Sequence, residues 1–187
     1  MLKDKCSGFT LTELLVGIAI ASILMMLALP KLSSFTVRLR VDNEISALHR
    51  LILITRNSAI NSGKSAIICP LSSTLPIICT TKWHQAISVF IDNNNDGNYD
   101  DNDTIVSIKA AIPSIDKLHY AQTSLIYTAL GNLSASPVTS VFSYCPSEDT
   151  DKSRAIIVSA SGRSYITSDT DNDGKDEDRN KNPITCS

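Results

Sequence analysis

The sequence has no Cys-x-x-Cys pair, no glycine-rich phosphate loop, and no histidine in a metal-binding or nucleophile–base arrangement. His49, His84 and His119 stand apart, and only His84 lies near a cysteine pair. Zinc ligation, nucleotide binding and hydrolytic catalysis each need such groupings, so the chain does not read as an enzyme. Large aromatics are scarce, with four Phe and one Trp in 187 residues. A folded body of about 120 residues then has a small core, which disulfides would help to hold. The formal net charge is −2. That excludes a generally basic nucleic-acid binder and leaves only a local patch.

Hydrophobic residues make up 43% of the chain, and much of that fraction lies between residues 9 and 29. This stretch carries a single charge, Glu13. About 21 helical residues span roughly 30 Å, one bilayer core. Lys3 and Lys5 precede it and favour a cytoplasmic N-terminus. A secretory signal peptide would show a shorter apolar region and a small-x-small cleavage site. Here the apolar run passes into Pro30-Lys31 with no such site. A carboxylate inside an apolar span needs a partner, unless it sits solvated at the interface. Of the five cysteines, Cys6 lies in the polar segment before the span. If it is lost with a leader, Cys69, Cys79, Cys145 and Cys186 remain for two disulfides in an oxidising compartment.

Gly8-Phe9-Thr10-Leu11-Thr12-Glu13-Leu14 resembles the type IV prepilin motif. The resemblance implies cleavage by prepilin peptidase between Gly8 and Phe9 and N-methylation of the new Phe9 amine. It makes Glu13 the assembly residue, paired with the N-terminal ammonium of a neighbouring subunit. Two charges stranded in an apolar filament core neutralise each other and specify register. Pro30 falls where such helices often kink.

Beyond Lys31 the sequence predicts more helix, to about Asn61-Ser62-Gly63. Leu32, Phe35, Leu39, Ile45, Leu48, Ile52 and Ala59 recur at spacings of three, four or their sums and form the expected core face. After Gly63, short β-rich runs alternate with turn clusters, at 65–69, 86–91, 104–111, 125–127, 138–144, 154–159 and 164–167. Without βαβ alternation, the expected class is α+β, a long N-terminal helix packed on antiparallel sheets. The expected organisation is a leader over 1–8, a transmembrane and assembly helix over 9–30, an amphipathic helix half over 31–62, and an antiparallel β domain over 63–187.

An ordered set of segments resembles the GspH/FimT family of minor pilins and minor pseudopilins. It comprises Ile67-Ile68-Cys69, Cys79, Trp83 leading to Val89-Phe90-Ile91-Asp92, Ile126-Tyr127 leading to Gly131, Phe142-Ser143-Tyr144-Cys145, and Ile156-Ile157-Val158-Ser159 leading to Gly162-Arg163. The chain departs from the family at Trp83-His84-Gln85-Ala86-Ile87, which lacks a usual Gly and second aromatic. The resemblance implies the type IV pilin fold with Trp83 in its core. We pair Cys69 with Cys79 and Cys145 with Cys186, while sequence alone leaves the other two connectivities open.

The resemblance implies a minor pilin that helps initiate assembly at or near the tip of a type IV pilus, serving adhesion, twitching motility or DNA uptake. The alternative is the H-type minor pseudopilin of a type II secretion system. The implied partners are other minor and major pilins or pseudopilins, prepilin peptidase and the inner membrane. The implied location is the inner membrane with the body in the periplasm, then the filament at the cell surface. No cofactor is required by this reading.

Two acidic runs remain. In residues 92–103, Asp92, Asn94, Asp96, Gly97, Asp100 and Asp103 match much of a calcium loop, though the last position is Asp rather than Glu and no EF-hand helices flank it. Such a run is also an ordinary turn, since Asn, Asp and Gly favour turns. A second run opens at Asp169-Thr170-Asp171-Asn172-Asp173-Gly174 and carries the same two readings. Some relatives bind DNA through Gly-Arg-x-Arg. Here Gly162-Arg163-Ser164-Tyr165 lacks the second arginine, and Arg154 and Arg163 would be the carriers. The acidic tail that follows argues against DNA as a partner.

Overall fold

The computed structural model describes residues 9–134 and 139–186, and of 27–31 and 33 the backbone alone. The expected leader over 1–8, including Gly8 and Cys6, lies outside the described residues. The chain divides into two compact units, one ending at Thr36 and one running from Val37.

Helix α1 spans Leu11–Ser62. Thr10 caps its start, accepting the Glu13 amide at 3.2 Å, with Glu13 in the third position of a Thr-x-x-Glu capping pattern. The Ser22 hydroxyl donates to the Ile18 carbonyl at 2.7 Å, which satisfies it within an apolar stretch. Gly63 takes φ 66° and its amide reaches the Ala59 carbonyl at 3.1 Å, a left-handed cap that ends the helix.

In the second unit, Val37, Val41, Ile45, Leu48, Ile52, Thr55 and Ala59 form the buried stripe of α1, in steps of three or four residues. The Thr55 hydroxyl turns back to the Leu51 carbonyl at 2.8 Å, so a polar residue fits the core. The expected face is corrected at its start. Leu32, Phe35 and Leu39 are 57%, 56% and 45% exposed, whereas Val37 and Val41 are 3% and 1% exposed. The step from Leu39 to Ile45 is six residues, which turns a helix by roughly 600° and leaves the two side chains about 120° apart. Two steps of three drift off the stripe, whereas three plus four, as from Ile52 to Ala59, returns to it.

The strands are β1 (Ser65–Cys69), β2 (Ile87–Asp92), β3 (Thr104–Lys109), β4 (Lys117–His119), β5 (Leu125–Tyr127), β6 (Thr139–Cys145), β7 (Arg154–Ser159) and β8 (Ser164–Ile166). They form two antiparallel sheets, ordered β3-β2-β1-β5 and β4-β6-β7-β8. Strand β4 was not expected, because its three residues are too few to show alternation and only Leu118 is buried. Val138, the expected start of β6, lies outside the described residues.

Trp83 is buried and donates to the Gln122 carbonyl at 2.8 Å. Its ring meets Tyr120 and Phe142 edge-on at 5.2 Å each, and those two rings stack at 4.0 Å. Asp116, buried, accepts Arg40 of α1 at 2.8 Å and the Tyr144 hydroxyl at 2.6 Å, so one carboxylate joins the helix to the second sheet. The sheets also meet at two glycines. The Leu133 amide reaches the Ala160 carbonyl at 3.0 Å, and Arg56 of α1 reaches the Gly131 carbonyl at 3.0 Å.

Burial pushes the phenols of Tyr120, Tyr127 and Tyr144 upward, and the Asp116 carboxylate adds to the rise at Tyr144. The native state therefore holds these protons more tightly than the unfolded chain. Their contribution is complete below the unfolded value of about 10 and is lost as pH rises past it. Thermal melts of the full chain should show stability declining as pH rises above about 10 on that account. Tyr127→Phe should make the decline shallower than in the parent.

Candidate functional site

The first candidate is the N-terminal unit. Between Phe9 and Met26 its large apolar side chains, among them Leu14, Ile18, Ile23 and Met25, are each more than half exposed. Glu13 is exposed in the first turn of α1. Among the described residues no helix is long and apolar enough to cross a membrane. The expected span continues through residues 27–29, whose side chains are not described.

The second candidate is the pair of acidic loops, which share a backbone design. In the first, Asp92 Oδ2 accepts the Gly97 amide at 2.9 Å and Asp96 Oδ1 accepts the Asn98 amide at 2.8 Å. In the second, Asp169 Oδ2 accepts the Gly174 amide at 2.9 Å and Asp173 Oδ1 accepts the Lys175 amide at 2.8 Å. Asn95 and Asn172 occupy equivalent positions with φ 59° and 65°. The centres of the loops differ. The Asn94 amide donates to Asp96 at 3.0 Å and to Asp100 at 2.9 Å, so donors fill the middle of the first loop. Asp103 accepts the amides of Asn93 and Asp100 at 2.9 Å and 3.0 Å. The second loop has Asp171 where the first has Asn94, and Glu177 where it has Asp100. Among the described residues, Asp169, Asp171, Asp173 and Glu177 bring one oxygen each to within 4.8 Å of one another.

The structure separates the two arginines considered for DNA. Arg154 donates to Asp176 at 2.9 Å, to Asp42, and to the Thr167 carbonyl at 2.8 Å. Its guanidinium is committed to tying the tail to α1 and β7, and these carboxylates hold its pKa up against the effect of burial. Arg163 is exposed in the turn between β7 and β8.

Cys69 is bonded to Cys79 and Cys145 to Cys186. The first bond closes a loop beside β1; the second returns the tail to the end of β6. Glu177 is the residue that sequence reasoning passed over as a site. The signal was present, because Asp169, Asp171, Asp173 and Glu177 follow the first, third, fifth and ninth positions of a calcium loop.

Comparisons with known proteins agree on the fold and the N-terminal motif. The prokaryotic N-terminal methylation motif matches residues 3–29. A search of curated proteins finds no match. Two crystal structures of the type IV minor pilin FimU of Pseudomonas aeruginosa are similar. The form in space group P21 has 18% identity and a TM-score of 0.54, covering 71% of this chain and 91% of that one. The form in P65 has 17% identity and a TM-score of 0.51, covering 67% and 90%. At such identity the likeness shows the fold, the α+β type IV pilin architecture. The family profile described as type II transport protein GspH matches residues 44–162, more than half of the sequence, and the chain therefore belongs to the GspH family.

Proposed function

We propose that this chain is a minor pilin, cut after Gly8, held in the inner membrane by its apolar helix until assembly, and then built into a type IV pilus at or near the tip. The observation that carries the reading is the apolar segment of α1, exposed on all sides and bearing one carboxylate. Apolar surface on that scale needs a lipid or protein cover. Glu13 needs a cationic partner once that cover excludes water, and the methylated amine of Phe9 on a neighbouring subunit has the right charge. The body supplies contacts to other pilins. Its ion pairs and disulfides serve structure, in keeping with a family of filament subunits rather than catalysts.

Mass spectrometry of the full-length chain expressed with and without prepilin peptidase tests this. With the peptidase, the mature chain should begin at N-methylated Phe9. A product that still begins at Met1, or one cut after Ala28, would sink the filament reading. The pseudopilus alternative is favoured by the family's description as a type II transport protein. Deleting the gene separates the two, since loss of surface pili with intact secretion supports the pilus, and the reverse supports the pseudopilus.

A further inference from the structure

We propose that the second acidic loop is a calcium site, formed by Asp169, Asp171, Asp173 and Glu177, which locks the C-terminal tail onto the β7–β8 sheet. Two independent observations meet here. The first is the gathering of four carboxylates, one oxygen from each lying within 4.8 Å of the others. The second is Glu177 itself, which is only 5% exposed. Its Oε2 accepts the Thr170 amide and hydroxyl at 2.8 Å each, which fixes the side chain. Its Oε1 is buried with no hydrogen-bond partner. A buried carboxylate oxygen without a donor is costly, and more so facing three other carboxylates. A divalent cation removes both penalties at once.

Nearby protein cations are turned to other work. Lys175 pairs with Asp151 at 3.2 Å, Lys152 reaches the Gly174 carbonyl at 3.3 Å, and Arg154 holds Asp176. The all-oxygen donor set selects a hard cation. Calcium fits better than magnesium, because it accepts six to eight oxygens in irregular geometry, and the loop's carbonyls and water complete the set. In the first loop the Asn94 amide already donates to the carboxylates of Asp96 and Asp100.

The site would act on the tail. Glu177 bridges to Ser168 on one side and to Pro183 on the other, so a cation held by its carboxylate fixes the middle of the segment between β8 and Cys186. Affinities of extracellular calcium modules lie at about 10⁻⁴ to 10⁻³ M, which suits a device filled outside the cytoplasm.

The test is calorimetric titration of the full-length chain in detergent, stripped with a chelator and titrated with calcium chloride to about 10 mM. One site per chain is expected, with a Kd of about 10⁻⁴ M and a rise in Tm of about 5–10 °C at saturation. Glu177→Gln keeps an oxygen for Thr170 and removes the carboxylate charge, and should weaken binding at least about tenfold. Asp171→Asn, at an exposed position, should do the same without disturbing the fold. Asp100→Asn, in the first loop, should leave binding unchanged. Absence of binding by the parent, equal affinity for magnesium, or binding insensitive to Asp171→Asn overturns the assignment. Pilin processing is read separately, so failure of this proposal leaves the assembly reading standing.

Discussion

Replacing Cys145 and Cys186 together by serine should cost about 4 kcal/mol of stability by the loop-entropy relation. The bond joins residues 41 apart in sequence. Closing a long loop restricts the unfolded chain more than closing a short one. The Cys69–Cys79 bond, across a separation of 10, should contribute about 3 kcal/mol on the same relation. The larger loss falls where the native state has little else to compensate. Beyond Ser168 the described tail buries Glu177 and half-buries Asp169, Asp176, Asp178 and Ile184, so its attachment is mostly polar. The ion pairs of Arg154 with Asp42 and Asp176 are partly exposed and hold it weakly alone. Urea unfolding of the full chain measures the effect. The midpoint should drop in both double variants and further in Cys145→Ser/Cys186→Ser. Equal drops would show that the native tail, rather than the unfolded loop, governs the loss.

Gly162→Ala should destabilise the protein by about 3–5 kcal/mol, from left-handed backbone strain together with overpacking. Gly162 has φ 78°, and an added Cβ would lie 1.9 Å from the Gly131 carbonyl oxygen. That oxygen is main chain, and Arg56 already holds it at 3.0 Å. Relief requires parting the two sheets where the Leu133 amide meets the Ala160 carbonyl. Gly63→Ala is the natural comparison. Its φ is 66°, but the added Cβ meets nothing within 4 Å. It should cost about 1 kcal/mol, the conformational part alone. Denaturant midpoints of the two variants therefore separate strain from collision. A Gly162→Ala variant no less stable than Gly63→Ala would show that the sheets part without penalty at this point.

The two glycines also explain why the resembling segments end as they do. The runs Ile126-Tyr127 to Gly131 and Ile156-Ile157-Val158-Ser159 to Gly162 come from different sheets and meet in one contact beneath Arg56 of α1. Linear spacing showed two turns; their packing against each other shows why a side chain is excluded at Gly162. The acidic loops make the same point for chemistry. Both runs have the residue types for a cation and the same turn geometry. Only the path of the chain leaves Glu177 buried with an unpartnered oxygen, while Asn94 satisfies the first loop from within.

What the sequence determined by itself was the class of the protein and the local character of its parts. Glu13 within an apolar run and the Gly63 stop are local signals. So is the change from helical to alternating periodicity after Gly63. Each depends on neighbours a few residues apart, and periodicity and capping are written at that range. The tertiary structure decided the phase of the buried helix stripe, the division into two sheets, the added strand β4, and the commitment of Arg154 to the tail. These depend on contacts between residues distant in sequence. Several local patterns satisfy the same hydrophobic spacing, and packing against the sheets selects the one that buries Val37 and Val41 while leaving Leu39 outside.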